Sequence, residues 1–406
     1  MSESHSNPMD RREFIQAGMA VTAAATTTSL VSSGATAQEA KPGQNKPVLP
    51  TRVLGKTGVP VTILNQGTVG EPASLQRLLR YAYREGVRYF DTAEGYKNAE
   101  VVFKEWFEAE PQVRKEIFLA TKSGVHRDPA EMLKKVDARL KRIGTDYLDL
   151  LFFHGLSTAQ TDWPKSKEMK EAVEAIKKTG KVKFVGFSTH DPMIAEQLQN
   201  AAKGGFIDVI MLKFSPWIGK DEPLYKALDA CHKANIGLVS MKQIGGQALK
   251  ITEERVPSLK ARKLTPAQGL LHAIWTDERF SSSCVTMRNL DQTNENSDAA
   301  RRFEPLKQAE LDELRDALLA AGPTMCPNCD GRCSLAGGTK ARLGDLARIY
   351  TYHEDHGIRG WARERYAELA EADRNWSGAD LEAARAACHN KLDFAGILSE
   401  VDRLLG

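Results

Sequence analysis

Residues 117–155 read IFLATKSGVHRDPAEMLKKVDARLKRIGTDYLDLLFFHG. A β-rich run at 117–122 passes through an amphipathic helical stretch at 130–143 into a second β-rich run at 147–154. Two strands joined through a helix lie parallel, and such crossovers are right-handed. The same alternation extends in both directions. Residues 63–68, 87–92, 182–188, 207–214, 236–242 and 283–287 also read as strands, with helical patterns between them. Eight strands, each followed by a helix, predict an α/β chain closed as a (β/α)8 TIM barrel; an open doubly wound sheet is the structural alternative. A barrel of this kind holds its chemistry at the C-terminal ends of the strands, so the polar residues there are the candidates.

The rest of the chain fits round that barrel. The protein has 406 residues, 42% hydrophobic and 27% charged, with a formal charge of +3. Such a balance excludes a disordered or collagen-like chain, and without a basic stripe carrying interleaved aromatics it excludes nucleic acid as a partner. The Lys-rich segment at 165–183 reads as a solvated helix face. Residues 1–37 read as a cleavable export signal: paired Arg11 and Arg12, then Glu13, Phe14 and Ile15, an Ala/Thr/Val stretch, and Ala35-Thr36-Ala37. The paired arginines fit the twin-arginine class, which exports folded proteins to the periplasm, and the stretch is too rich in Thr and Ser for a stable membrane anchor. Residues 38–52, with Pro42, Gly43, Pro47 and Pro50, read as a linker, 53–320 as the barrel, and 321–406 as a mainly helical C-terminal module.

Four titratable side chains arrive in order at neighbouring strand ends. The second strand ends in FDTAEGY, with Asp91 at its tip and Tyr96 in the loop beyond; the third ends at Lys122 and the fourth at His154. A buried Lys ammonium beside a phenol favours the phenolate, so Lys122 is expected to lower the Tyr96 pKa toward general-acid use, with Asp91 holding Lys122 charged. His154 suits a hydrogen bond to a substrate carbonyl, where an alkoxide develops.

FDTAEGY, the Lys ending ATKS, TDYLDLLFFHG and GKVKFVGFSTH resemble the successive signatures of the aldo/keto reductases over roughly residues 51–305. The resemblance implies a carbonyl reductase using NADP(H), with Tyr96 as proton donor, Lys122 and Asp91 tuning it, and His154 orienting a small carbonyl or alcohol substrate. It implies coenzyme contacts at Ser188, at Phe214 stacking on the nicotinamide, at Lys242, Gly245 and Gly246 near the pyrophosphate, and at Arg288, Asn289, Glu295 and Asn296 round the adenosine phosphate. A guanidinium suits a phosphate monoester, so Arg288 favours NADP over NAD. The chain departs from the family at Thr189, where an Asn is usual, at Met211, where a Gln commonly holds the carboxamide, and at Gln292, often a second Arg.

Four of the six cysteines fall late, at Cys326, Cys329, Cys333 and Cys388. The spacing C-x2-C-x3-C followed by a distant fourth thiol suits a [4Fe–4S] cluster, with a tetrahedral zinc site or disulfides as alternatives. Some aldo/keto reductases resemble this chain in carrying a ferredoxin-like C-terminal extension, which favours iron–sulfur and an electron-transfer partner. His353, His356 and His389 are substitute metal ligands, and Cys231 and Cys284 read as packing thiols. The competing functional reading is a catalytically weak nucleotide-sensing or interaction barrel with a structural metal.

Overall fold

The computed structural model describes residues 45–70, 74–243, 251–322, 324–326 and 331–406. The expected signal, residues 1–37, lies outside the described residues. Strands β1 (Thr51–Val53) and β2 (Pro60–Thr62) form an antiparallel hairpin. Strands β3 (Leu64–Gly67), β4 (Tyr89–Asp91), β5 (Phe118–Ser123), β6 (Leu148–Phe153), β7 (Val182–Thr189), β8 (Val209–Lys213), β9 (Gly237–Met241) and β10 (Phe280–Val285) pair in parallel. The ring closes where β10 pairs with both β9 and β3, so the sheet is a barrel and not an open doubly wound sheet.

Period-two alternation divides each strand between two cores. Tyr89, Phe118, Leu150, Phe152, Val209 and Val239 fill the barrel interior, while their neighbours Phe90, Leu119, Leu151, Phe153, Ile210 and Leu238 pack outward under the helices. The helix between β5 and β6 shows why the sequence is legible here. Asp128 precedes it and accepts the Ala130 N–H at 2.8 Å, Pro129 occupies its first turn, and Gly144 ends it in the left-handed region at φ 72°. Met132, Val136, Leu140 and Ile143 form its buried stripe.

The linker boundary needs correction. Leu49 is only 1% exposed, its N–H donates to Gly86 O at 3.0 Å, and residues 51–53 are already strand. The stretch read as linker is therefore part of the barrel's packed base from Leu49 onward. Beyond the helix Gln308–Ala320 the chain forms the separate helical cluster expected, with its own apolar core built on Leu343, Leu346, Ala347, Phe394, Leu398 and Val401. Among the described residues no helix is long and apolar enough to cross a membrane.

Candidate active site

Interior parity carries Asp91, Lys122, His154, Ser188, Met211 and Cys284 to one cavity of about 670 Å3 at the C-terminal end of the barrel, where Tyr96 joins them. Asp91 and Lys122 are almost fully buried and form an ion pair, and the Lys122 ammonium also donates to Thr92 O at 3.0 Å. That ammonium lies 4.9 Å from the centre of the Tyr96 ring. The Tyr96 ring in turn meets His154 edge to face, with centroids 5.8 Å apart. All four side chains named from the strand tips are thus brought together.

Their electrostatics differ in one respect from the expectation. Burial pushes the Tyr96 phenol above its ordinary value, and the Asp91 charge adds to this; Lys122 pulls the other way but is outweighed. Tyr96 therefore rests protonated, as a proton donor must. Lys122 is pushed up: burial opposes its charge, but Asp91 more than offsets it. His154 opens onto the cavity, yet surrounding protein dominates its electrostatics: burial, then the Lys122 and Lys242 charges, push it down to about 3. A neutral imidazole can donate a hydrogen bond without carrying charge to the site.

The residues expected to hold the coenzyme divide. Ser188, Lys242, Arg288, Glu295 and Asn296 line the same cavity. Arg288 donates to Val69 O at 3.2 Å and has no carboxylate partner among the described residues. A side chain at Gly70, whose φ is 75°, would collide with the Arg288 guanidinium, so the loop after β3 can lie close to it only as glycine. Phe214 is a correction. It follows Lys213 by one residue, so alternation turns it outward, where it is buried and stacks on Phe280 with centroids 4.4 Å apart. Met211, two residues before Lys213, takes the inward position. Asn289 caps the helix Leu290–Arg301, where its exposed side chain accepts the Gln292 N–H at 2.8 Å. Gly245 and Gly246 lie outside the described residues.

The far wall of the cavity comes from the C-terminal module, which the sequence did not reveal. The helix Leu343–Glu354 contributes Asp345, Arg348, Ile349 and Tyr352, and the helix Arg359–Ala367 contributes Trp361 and Arg365. The first of these faces was visible as a spacing of three to four residues, but nothing in the pattern named the barrel as its partner. Arg348 donates to His190 Nδ1 at 3.0 Å, and Arg332 forms an ion pair with Glu222. The Lys242 charge, followed by burial, holds His190 well below its ordinary value, so Nδ1 is free to accept. Cys284 also departs from its packing role: it lines the cavity beside Asp91, while Cys231 is buried and donates to Leu198 O at 3.3 Å.

Cys326, Cys333 and Cys388 all belong to the module's buried core. Burial, then the charges of Cys326 and Cys388, push Cys333 up to about 12, so the three lie close enough to act on one another. Cys329 lies outside the described residues. Among the described residues no group of three or more His, Cys, Asp or Glu side chains is placed to hold a metal ion. The histidines considered as substitutes are engaged elsewhere: His353 pairs with Glu354 at 2.7 Å, His389 approaches Glu222 at 3.6 Å, and His356 lines the cavity.

Comparison with known proteins agrees with this geometry. An aldo-keto reductase of Schizosaccharomyces pombe, named for NADP(+), is 28% identical over 218 residues, 48% of this chain and 62% of the relative. This chain thus spans less than two thirds of that relative. L-galactose dehydrogenase of Arabidopsis thaliana is 25% identical over 305 residues, covering 66% of this chain and 93% of the relative. A probable aldo-keto reductase of Glycine max is 28% identical over 243 residues, covering 53% and 67%. The family model for the aldo/keto reductases matches residues 62–318, from the base of the barrel past its last strand. On that match, which takes in every barrel strand and all four side chains grouped at the strand tips, the chain belongs to the aldo/keto reductase family.

Proposed function

We propose that the protein is an NADP(H)-dependent oxidoreductase that interconverts a carbonyl and an alcohol, with Tyr96 as general acid. The observation that carries this reading is the Tyr96 ring with the Lys122 ammonium 4.9 Å from its centre and His154 at its edge, where burial favours the protonated phenol. In reduction, Tyr96 donates its proton to the carbonyl oxygen, and the Lys122 ammonium stabilises the phenolate left behind. His154 donates a hydrogen bond to the same oxygen and fixes its direction. Asp91 keeps Lys122 charged and in place. The nicotinamide coenzyme, when bound, supplies or accepts the hydride. The cavity suits it: among the described residues Arg288 has a backbone carbonyl as its hydrogen-bond partner and lies beside Gly70, and Ser188 and Asn296 are further polar groups in the wall. The NADP(+) in the name of the yeast relative is consistent with the choice of phosphate.

The competing reading, a nucleotide-binding barrel without turnover, draws on Met211 in the carboxamide position and on the outward Phe214. The test is NADPH consumption against a panel of aldehydes and ketones. Carbonyl-dependent consumption is expected; quenching of tryptophan fluorescence by NADPH, with no consumption across the panel, favours the sensing reading.

The late cysteines extend the proposal. Three buried thiols that repel one another when deprotonated are relieved by a metal cation, and an all-thiolate donor set suits a [4Fe–4S] cluster, with zinc as the alternative. Cys326, Cys333 and Cys388 would hold it with Cys329, and the cluster would supply single-electron chemistry and a route to an external electron-transfer partner. Anaerobically purified protein is expected to absorb broadly near ~400 nm and to carry about four irons per chain. A colourless zinc-containing protein overturns the electron-transfer part. Twin-arginine export to the periplasm fits a protein that loads its cofactors before crossing a membrane, and rests on Arg11, Arg12 and the Ala35-Thr36-Ala37 site.

A further inference from the structure

Positive charge in the cavity is uneven, and one cation is held there at a conformational cost. Lys242 directly follows β9 and has φ 60°, a left-handed conformation that lysine rarely adopts. Its ammonium lies 5.7 Å from the centre of the Tyr352 ring and has no ion-pair partner among the described residues. Burial opposes its charge most, and Arg348, Lys213 and Lys122 are close enough to oppose it further. From the opposite wall Arg365 faces the same space. One of its terminal nitrogens contacts Glu368, while its Nε is buried with no acceptor among the described residues. Arg365 also lies over the Trp361 ring at 5.6 Å, and Trp361 meets Tyr352 edge to face at 5.0 Å.

Lys242 has no ion-pair partner among the described residues, and Arg365 is half-buried with Glu368 on one nitrogen and no acceptor on Nε, so an anion seated between them would take up donors that the described protein groups leave over. Their position says which anion. Lys242 and Arg365 line the cavity together with Tyr96 and His154, and the charges of both reach the His154 imidazole. We propose that the substrate carries an acidic group, a carboxylate or phosphate, seated between Lys242 of the barrel and Arg365 of the C-terminal module while its carbonyl meets Tyr96 and His154. This rests on the carbonyl-reducing reading above. It makes the module a part of the substrate site, since Arg365, Trp361 and Tyr352 all come from it. The other source of the same chemistry is the coenzyme pyrophosphate, which the loop after Lys242 is expected to approach.

The experiment uses the full chain, its Arg365→Met and Lys242→Met variants, and matched probes: 4-oxobutanoate against butanal, and glyceraldehyde 3-phosphate against glyceraldehyde. The wild type is expected to favour the acidic member of at least one pair by about tenfold or more in kcat/KM, the range of one charge-assisted contact. Arg365→Met lowers kcat/KM for the acidic member far more than for the neutral one, through KM, and leaves the Kd for NADPH unchanged. Equal use of acidic and neutral probes by the wild type overturns the proposal. So does a rise in the NADPH Kd in both variants with the acidic preference intact, which assigns the cations to the coenzyme. If no probe is turned over, the carbonyl-reducing reading fails by itself, and the anion site is then judged by equilibrium binding of succinate and of inorganic phosphate to the NADP(+)-loaded protein. Binding that Arg365→Met abolishes supports the site; no binding to the wild type overturns it.

Discussion

Replacing Tyr96 by Phe should lower kcat for carbonyl reduction by about 100- to 10,000-fold, the span that a positioned general acid contributes. The ring itself is kept, so its edge contact with His154 and the Lys122 ammonium beside it survive, and only the proton is lost. Substrate KM is therefore expected to move little. The coenzyme Kd should not move, because the substitution removes only the phenol oxygen and leaves Ser188, Arg288 and Asn296 in the cavity wall untouched. Steady-state rates with NADPH, together with tryptophan quenching, measure both. A variant that keeps its rate within about threefold removes Tyr96 from the chemistry.

The second large effect concerns the pair beneath it. Asp91 and Lys122 are each about 2% exposed in their side chains, so the pair is stable only as a pair. Lys122→Met should cost about 3–5 kcal/mol of folding stability by leaving a buried carboxylate without its cation. Burial then drives Asp91 to take up a proton, the direction in which it already pushes that carboxyl. Adding Asp91→Asn removes the stranded charge, so the double variant should regain much of the lost stability in denaturant unfolding. It should regain none of the activity, since nothing remains to stabilise the Tyr96 phenolate. A double variant as unstable as Lys122→Met would mean that packing, and not the ion pair, accounts for the loss.

The barrel and its four strand-tip residues were legible in the sequence for one physical reason. Parallel strands buried on both faces are short, strongly apolar runs, and each run points its last polar residue at the same end of the molecule. Asp91, Lys122 and His154 stand out because each terminates such a run. What the sequence hid depended on direction or on distant contacts. The outward turn of Phe214 follows from its single-residue offset from Lys213, a parity that a family pattern alone does not enforce. The end of the linker was misplaced because β1 is only three residues long and is defined by its pairing with β2. The module's place over the barrel mouth rests on Arg348 with His190 and Arg332 with Glu222, pairs that are 158 and 110 residues apart in the chain. No local pattern contains them.

The roof changes what a carbonyl site on this barrel can select. Lys242 comes from the barrel, whereas Trp361, Tyr352 and Arg365 complete the cavity wall from the C-terminal helices. The same unit carries Met325 into the cavity wall next to Cys326, so the thiol cluster and the proposed hydride site share a boundary.

The central claim is hydride transfer at the Tyr96 end of this cavity, and isotope transfer tests it most directly. With NADPH deuterated at the transferring C4 position and a carbonyl probe, mass spectrometry of the product alcohol should find one deuterium on the former carbonyl carbon, at a rate that Tyr96→Phe suppresses. Coenzyme binding without deuterium in any product across the probe panel would contradict the account.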